Sequence, residues 1–184
     1  MPANWSSASP VTAEAVAEGL LPDEVVSTAG ERAMLEAFLD LYRGEVVGKI
    51  AGLSEGDARR RLVPSLTTVG GVLKHLRWVE VGWFHQVLGA RSGDNRRAHE
   101  RRSEFVLEQH ETVDSLVAEY RAACATSRSL AADCSLDAAL PHDGMGQVSV
   151  RWIYVHMIEE TARHAGQLDI LREQIDAAVA REHG

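Results

Sequence analysis

The stretch WIYVHMIEETARHAGQLDILRE, residues 152–173, decides the fold because its apolar residues recur at helical spacing over about six turns. On a helical wheel these residues form a single stripe centred on Met157. Its other members are Ile153, Thr161, Leu168, Leu171 and Ile175. A one-sided stripe of this length is typical of a helix that packs into a bundle. The sequence therefore predicts a helix over about 148–180.

Two polar residues of this helix point toward its apolar side. At about 100° per residue, His164 lies roughly 20° from the centre of the stripe and Glu160 roughly 60° from it. Glu159 lies nearly opposite, so we expect it to face water and to pair with Arg163 at i+4. Glu160 and His164 are thus the pair that needs an explanation.

The pair Glu160 and His164 is open to two interpretations. A buried carboxylate costs several kcal/mol unless a cation, a metal ion or hydrogen bonds satisfy it. Side chains at i and i+4 can converge on one metal ion, provided that another helix supplies a further ligand. Alternatively, His164 is a hydrogen-bonded core histidine, and Glu160 pairs with an arginine such as Arg151 or Arg172. The helix alone does not decide between them.

The rest of the chain predicts an all-α protein, a four-helix bundle with an N-terminal arm. Residues 1–29, rich in Ser, Ala and Pro, form the predicted arm, and residues 30–184 form the bundle. Four segments have the spacing and length of bundle helices: about 31–53, 69–88, 104–133 and 148–180. A polar connection over about 90–103 and a loop over 135–147 join them, and no strand-type alternation of useful length is found.

Composition narrows the class of protein. A net charge of −8 over 184 residues argues against nucleic acid as the main partner. Two cysteines, no signal-peptide pattern and no apolar run of about 20 residues predict a reduced cytoplasmic protein that does not enter the membrane.

The second helix carries a stripe centred on Leu76. Its other members are Val69, Val72, Val79, Trp83 and Val87. Glu80 lies only about 40° from Leu76, so periodicity selects it as the buried polar residue. His75 lies about 100° from Leu76, at the edge of the stripe, where two helices meet. Periodicity therefore does not select His75 as a ligand, although a seam is where neighbouring helices can share an ion.

Two motifs give this chain a family resemblance. GGVLKHLRWVEVGWF (70–84) and RWIYVHMIEETARHAGQLDILRE (151–173) resemble the DinB superfamily, and more narrowly its DUF664 branch, over about 31–178. The resemblance implies a four-helix bundle whose divalent metal is held by one histidine of the second helix and two ligands of the last. On this sequence those ligands are His75, Glu160 and His164. Such a set leaves positions open and suits zinc best, with nickel, iron or manganese as alternatives.

The resemblance also implies an activity. Characterised relatives, including the mycothiol-dependent maleylpyruvate isomerases, are thiol-dependent transferases and isomerases that use mycothiol, bacillithiol or glutathione. We therefore expect a metal-dependent S-transferase or isomerase that joins a low-molecular-weight thiol to a small electrophile. The arginine-rich composition favours mycothiol. Neither Cys124 nor Cys134 lies in a nucleophile motif, and no catalytic side chain is identified. The alternatives are a metal-dependent hydrolase and a non-catalytic small-molecule-binding or resistance protein, and a homodimer is possible.

Several further residues are candidates for the surroundings of the metal. Gln167 could orient the ring of His164. Arg172 could bind a substrate carboxylate, although a salt bridge is the simpler expectation. His156 could flank the metal or equally be a half-exposed helix residue, and His142 in the predicted loop could cover the site.

Overall fold

The computed structural model describes residues 19–90 and 103–183. Most of the predicted arm, residues 1–18, lies outside this range, as do residues 91–102 of the predicted polar connection. The division into an arm and a bundle therefore stays a prediction.

The described chain is mostly helical, with two short strands, which confirms the all-α class. In chain order the helices are α1 (Pro22–Val25), α2 (Glu31–Ile50), α3 (Glu55–Ala58), α4 (Val69–Glu80), α5 (Val113–Ala131) and α6 (Val150–His183). α4 continues directly into a π-helix over Val81–Leu88. The long helix α6 packs against α2, and α4 packs against both α5 and α6.

Polar side chains begin the helices where the sequence indicates. Ser54 accepts a hydrogen bond from the Asp57 amide at the start of α3. The Thr68 hydroxyl accepts one from the Gly71 amide, 3.0 Å away, at the start of α4. Each bond satisfies an amide that has no partner within the helix.

The predicted stripes form the core. All six stripe residues of α6 are buried, as are Leu76 and most of its stripe on α4. Glu80 is fully buried, as periodicity predicts, and its carboxylate accepts two hydrogen bonds of 2.7 Å from the guanidinium of Arg43 on α2. This ion pair fixes α4 against α2.

The third predicted helix begins later than expected. The prediction that this helix starts near Ser103 is wrong. Ser103–Phe105 form only a 3-10 turn, and α5 begins at Val113 after the cap residue Thr112. We call residues 103–111 the strap. Its chain runs along α4, held by side chains from outside the strap.

The predicted loop over 135–147 is also wrong in part. Strands β1 (Ala139–His142) and β2 (Gly146–Ser149) form an antiparallel hairpin there. Gly144 in its turn and Gly146 at the start of β2 have positive φ angles of 100° and 73°, which favour glycine. Pro141 in β1 and Gly146 in β2 are residue types that strands disfavour, so the sequence does not indicate the hairpin.

Within the part of the chain that the structure describes, no helix is long and apolar enough to cross a membrane.

Candidate metal centre

The structure brings His75, Glu160 and His164 together between α4 and α6. One potential ligand atom from each lies within 4.8 Å of the others. Oε1 of Glu160 lies 3.2 Å from Nε2 of His75 and 3.4 Å from Nε2 of His164. The i, i+4 spacing on α6 supplies two of these groups, and α4 supplies His75 from the seam between the helices.

The outer nitrogen of each imidazole is already engaged. Nδ1 of His75 donates to Oε2 of Glu104, 3.0 Å away, and Nδ1 of His164 donates to Oε1 of Gln167, 2.9 Å away. A ring that donates from Nδ1 keeps the lone pair of Nε2 when it is neutral. Both lone pairs then face the Glu160 carboxylate.

Three electron-rich atoms that face one another require a positive charge between them. When Nε2 carries a proton instead of a lone pair, it donates to Glu160, and such hydrogen bonds from His164 and from His75 hold the pKa of Glu160 well below its usual range. Burial disfavours protonated His75, but its hydrogen bonds with Glu104 and Glu160 outweigh burial and raise its pKa. Without a metal, protonation of His75 would supply this charge, and a divalent ion could replace the proton.

The surroundings of His75 include two residues that the sequence analysis missed. Phe105 stacks on the imidazole with ring centres 4.3 Å apart and planes 17° apart. Glu104 is only 3% exposed, although it follows a polar connection. The helical interpretation of 104–133 gave no reason to place Glu104 beside His75, and no periodic signal indicates it.

His156 lies outside the group of three. Together with Trp83, His142 and Trp152 it forms what we call the ring cluster, in which neighbouring ring centres lie 4.8–5.1 Å apart. His156 precedes Glu160 by one turn, about 6 Å along the helix axis. The ring cluster therefore adjoins the candidate metal centre. His142, on strand β1 of the hairpin, belongs to the ring cluster through its contact with Trp83.

The arginines considered as partners of Glu160 are engaged elsewhere. Arg151 pairs with Glu31 and an aspartate near the hairpin. Arg172 pairs with Asp176 at 2.9 Å and donates to two carbonyls at the end of α2. Among the residues that the structure describes, the exposed Arg163 is the arginine that comes near, with Nη1 3.5 Å from Oε2 of Glu160, and it also pairs with Glu159 as predicted. Within residues 19–90 and 103–183, no buried arginine pairs with Glu160.

The two cysteines lie away from this group. Cys124 is buried in the core, and burial raises the pKa of its thiol far above the usual range. The Cys134 thiol donates to the carbonyl of Leu130. The raised pKa of Cys124 is the opposite of what a reactive thiol shows.

The chain is thus a helical protein in which two helices bring two histidines and a carboxylate together as a candidate metal centre. The family model described as mycothiol-S-transferase matches residues 34–177, so the chain belongs to this family, within the DinB superfamily. The match covers His75, Glu160 and His164, and it confirms the resemblance found in the sequence. No curated protein matches the chain significantly.

Proposed function

We propose that the chain is a divalent-metal-dependent S-transferase that joins mycothiol to a small electrophile, with zinc held by His75, Glu160 and His164. The observation that carries this proposal is the convergence of their three ligand atoms within 4.8 Å. The family match supports the thiol and the type of reaction.

The donor set suits a catalytic divalent ion. Two imidazole nitrogens and one carboxylate form a set that binds zinc and leaves positions open for other ligands, and nickel, iron and manganese accept similar sets. Both imidazoles are oriented from behind by Glu104 and Gln167, as ligating histidines usually are. The side chain of Glu160 is 15% exposed, so the centre is shielded but open on one side.

The reaction needs a sulfur nucleophile from the co-substrate. A divalent ion held here would stabilise the thiolate of a bound thiol near neutral pH. Glu160 contributes one negative charge, and His75 and His164 contribute two oriented imidazoles. Phe105 stacks on His75 and shields one face of its ring from water. In a substitution, the thiolate sulfur forms a bond to an electrophilic carbon while the bond from that carbon to its leaving group breaks; the leaving group departs with the electron pair, and the proton released on ionisation passes to it or to water. In an addition, the sulfur bonds to one carbon of a double bond, and the proton goes to the neighbouring atom that receives the π electron pair. Cys124, buried and protonated, takes no part.

Metal content tests the proposed centre. Protein stripped of metal and reloaded with zinc should hold about one ion per chain, and His164→Ala should abolish this binding. His156→Ala is the matched control, since it removes a histidine two turns earlier on the same helix and outside the group. Equal zinc binding by His164→Ala and the wild type would contradict the proposal.

Thiol dependence tests the reaction. Zinc-loaded protein should consume monochlorobimane only when mycothiol is added, and Glu160→Ala should lose this activity. Hydrolysis of an ester without thiol would indicate a hydrolase instead. Stoichiometric binding of a small molecule by the metal-free protein, with no turnover, would indicate a binding protein.

A further inference from the structure

We propose that Glu104 is a positioning residue that fixes the ring and the tautomer of His75, and that the strap holds Glu104 in place for this purpose. The proposal rests on the proposed metal centre and deepens it. It concerns a residue that does not itself belong to the group of three.

The contact between Glu104 and His75 has the geometry of an orienting hydrogen bond. Oε2 of Glu104 lies 3.0 Å from Nδ1 of His75, on the side of the ring away from Glu160. Both side chains are more than nine-tenths buried, so water does not compete for this bond. Phe105, the next residue of the strap, stacks on the face of the same ring. Glu104 thus restrains rotation of the imidazole within its plane, and Phe105 restrains movement of the ring perpendicular to that plane.

The strap can lie close to α4 because Gly70 and Gly71 follow Val69 in the first turn of α4. A Cβ atom at Gly71 would overlap the carbonyl of Phe105, and one at Gly70 would lie 2.6 Å from Cδ1 of Leu107. Residue 71 also lies one helical turn before His75. The absence of side chains at this turn therefore lets the strap backbone reach His75.

Charged side chains hold the strap independently of His75. Nζ of Lys74 donates to the carbonyl of Val106 at 2.8 Å and to Oε2 of Glu111 at 2.9 Å. Arg59 donates to three strap carbonyls, one of them Glu108 at 2.8 Å. The strap is thus anchored from Val106 to Glu111, directly after the two residues that contact His75.

The two histidines have different orienting partners. His164 donates to a neutral amide on its own helix, whereas His75 donates to a buried carboxylate from a separate segment. A carboxylate acceptor makes the opposite ring nitrogen more basic and holds the proton on Nδ1. We therefore expect Glu104 to strengthen metal binding through His75 in particular.

Zinc titration of the full-length chain, monitored by competition with a chromogenic chelator, tests this inference. Glu104→Ala should weaken zinc binding by about 10–100-fold, and Glu104→Gln, which keeps an acceptor, should weaken it less. Glu119→Ala is the matched control, because it removes a carboxylate that pairs with Arg77 of α4 and belongs neither to the strap nor to the contacts of His75. Wild-type affinity in Glu104→Ala, or an equal loss in Glu119→Ala, would overturn the proposal.

The tautomer of His75 gives a readout that needs no metal. In ¹⁵N-labelled metal-free protein in alkaline buffer, Nδ1 should carry the proton in the wild type and in Glu104→Gln. In Glu104→Ala the proton should move to Nε2, which faces Glu160. An unchanged tautomer in Glu104→Ala would overturn the role of Glu104. If the wild type binds no zinc, the proposed function fails, and the tautomer still decides the role of Glu104.

Discussion

The buried ion pair between Arg43 and Glu80 allows a quantitative prediction. Their side chains are 4% and 1% exposed, and two hydrogen bonds of 2.7 Å join them. Arg43→Met removes both of these bonds and leaves the carboxylate buried. Arg43 also donates to Asp40, but Asp40 keeps Arg128 as a partner. The main cost of the substitution therefore falls on Glu80.

Breaking a buried ion pair from one side costs about 3–5 kcal/mol. For a domain of this size, about 2–4 °C of melting temperature corresponds to each kcal/mol. We therefore expect Arg43→Met to lower the melting temperature by about 6–20 °C. Glu80→Leu should cost less, because Arg43 then keeps its 2.9 Å bond to Asp40.

Urea unfolding of the two single variants and the double variant Arg43→Met/Glu80→Leu measures these free energies. Replacing both charged partners by apolar side chains is often neutral, so the double variant should be more stable than Arg43→Met alone. A loss below about 1 kcal/mol in Arg43→Met, the size of an exposed pair, would refute the reasoning. So would a double variant less stable than Arg43→Met.

Three further predictions concern packing, the cysteines and pH. Gly71→Ala should destabilise the chain by about 1–3 kcal/mol in urea unfolding, since its Cβ would overlap the Phe105 carbonyl. Gly48→Ala, a helical control with open space around it, should instead stabilise it by about 0.5–1 kcal/mol. Cys124→Ala should retain mycothiol-dependent loss of monochlorobimane, and loss of the activity in a folded variant would contradict a sulfur supplied by the co-substrate. In metal-free protein, the raised pKa of His75 adds to the free energy of unfolding. This contribution is fully present below pH 6.5, the ordinary pKa of histidine, and is lost as the pH rises through the raised pKa. The stability advantage of the wild type over His75→Gln should therefore shrink with rising pH, and a constant difference would contradict this sign.

Periodicity predicts the inward and outward faces of α6 well. Glu159 and Glu160 are adjacent in sequence, yet the 100° step between them places Glu159 beside the exposed Arg163 and Glu160 beside two buried histidines. The prediction succeeds because α6 is long and regular, so the direction of each side chain follows from its position in the sequence.

The third member of the candidate centre could not be found from periodicity. His75 lies at the edge of the apolar stripe of α4, yet it is buried, because α6 covers one side of it and the strap covers another. A wheel assumes one apolar partner for each helix, and α4 has several. Only the family resemblance selects His75 from sequence.

The strap itself leaves no signal that a sequence pattern could detect. Its backbone is irregular, and it is held by hydrogen bonds from Arg59 and Lys74 to carbonyl groups, which every residue carries. Glu104 therefore resembles an ordinary helix residue until its neighbours in space are known.

The π-helix that follows α4 has a consequence for how related chains can differ. Each of its hydrogen bonds, such as Gly89 to the carbonyl of Phe84, encloses one residue more than an α-helical bond. A homologue lacking one residue between 81 and 88 could continue as an α-helix, and Trp83 and its neighbours would turn by about 100° about the axis. His75, upstream of the change, would keep its position. Single-residue insertions and deletions are thus a route by which evolution could remodel the ring cluster while the candidate metal ligands stay aligned.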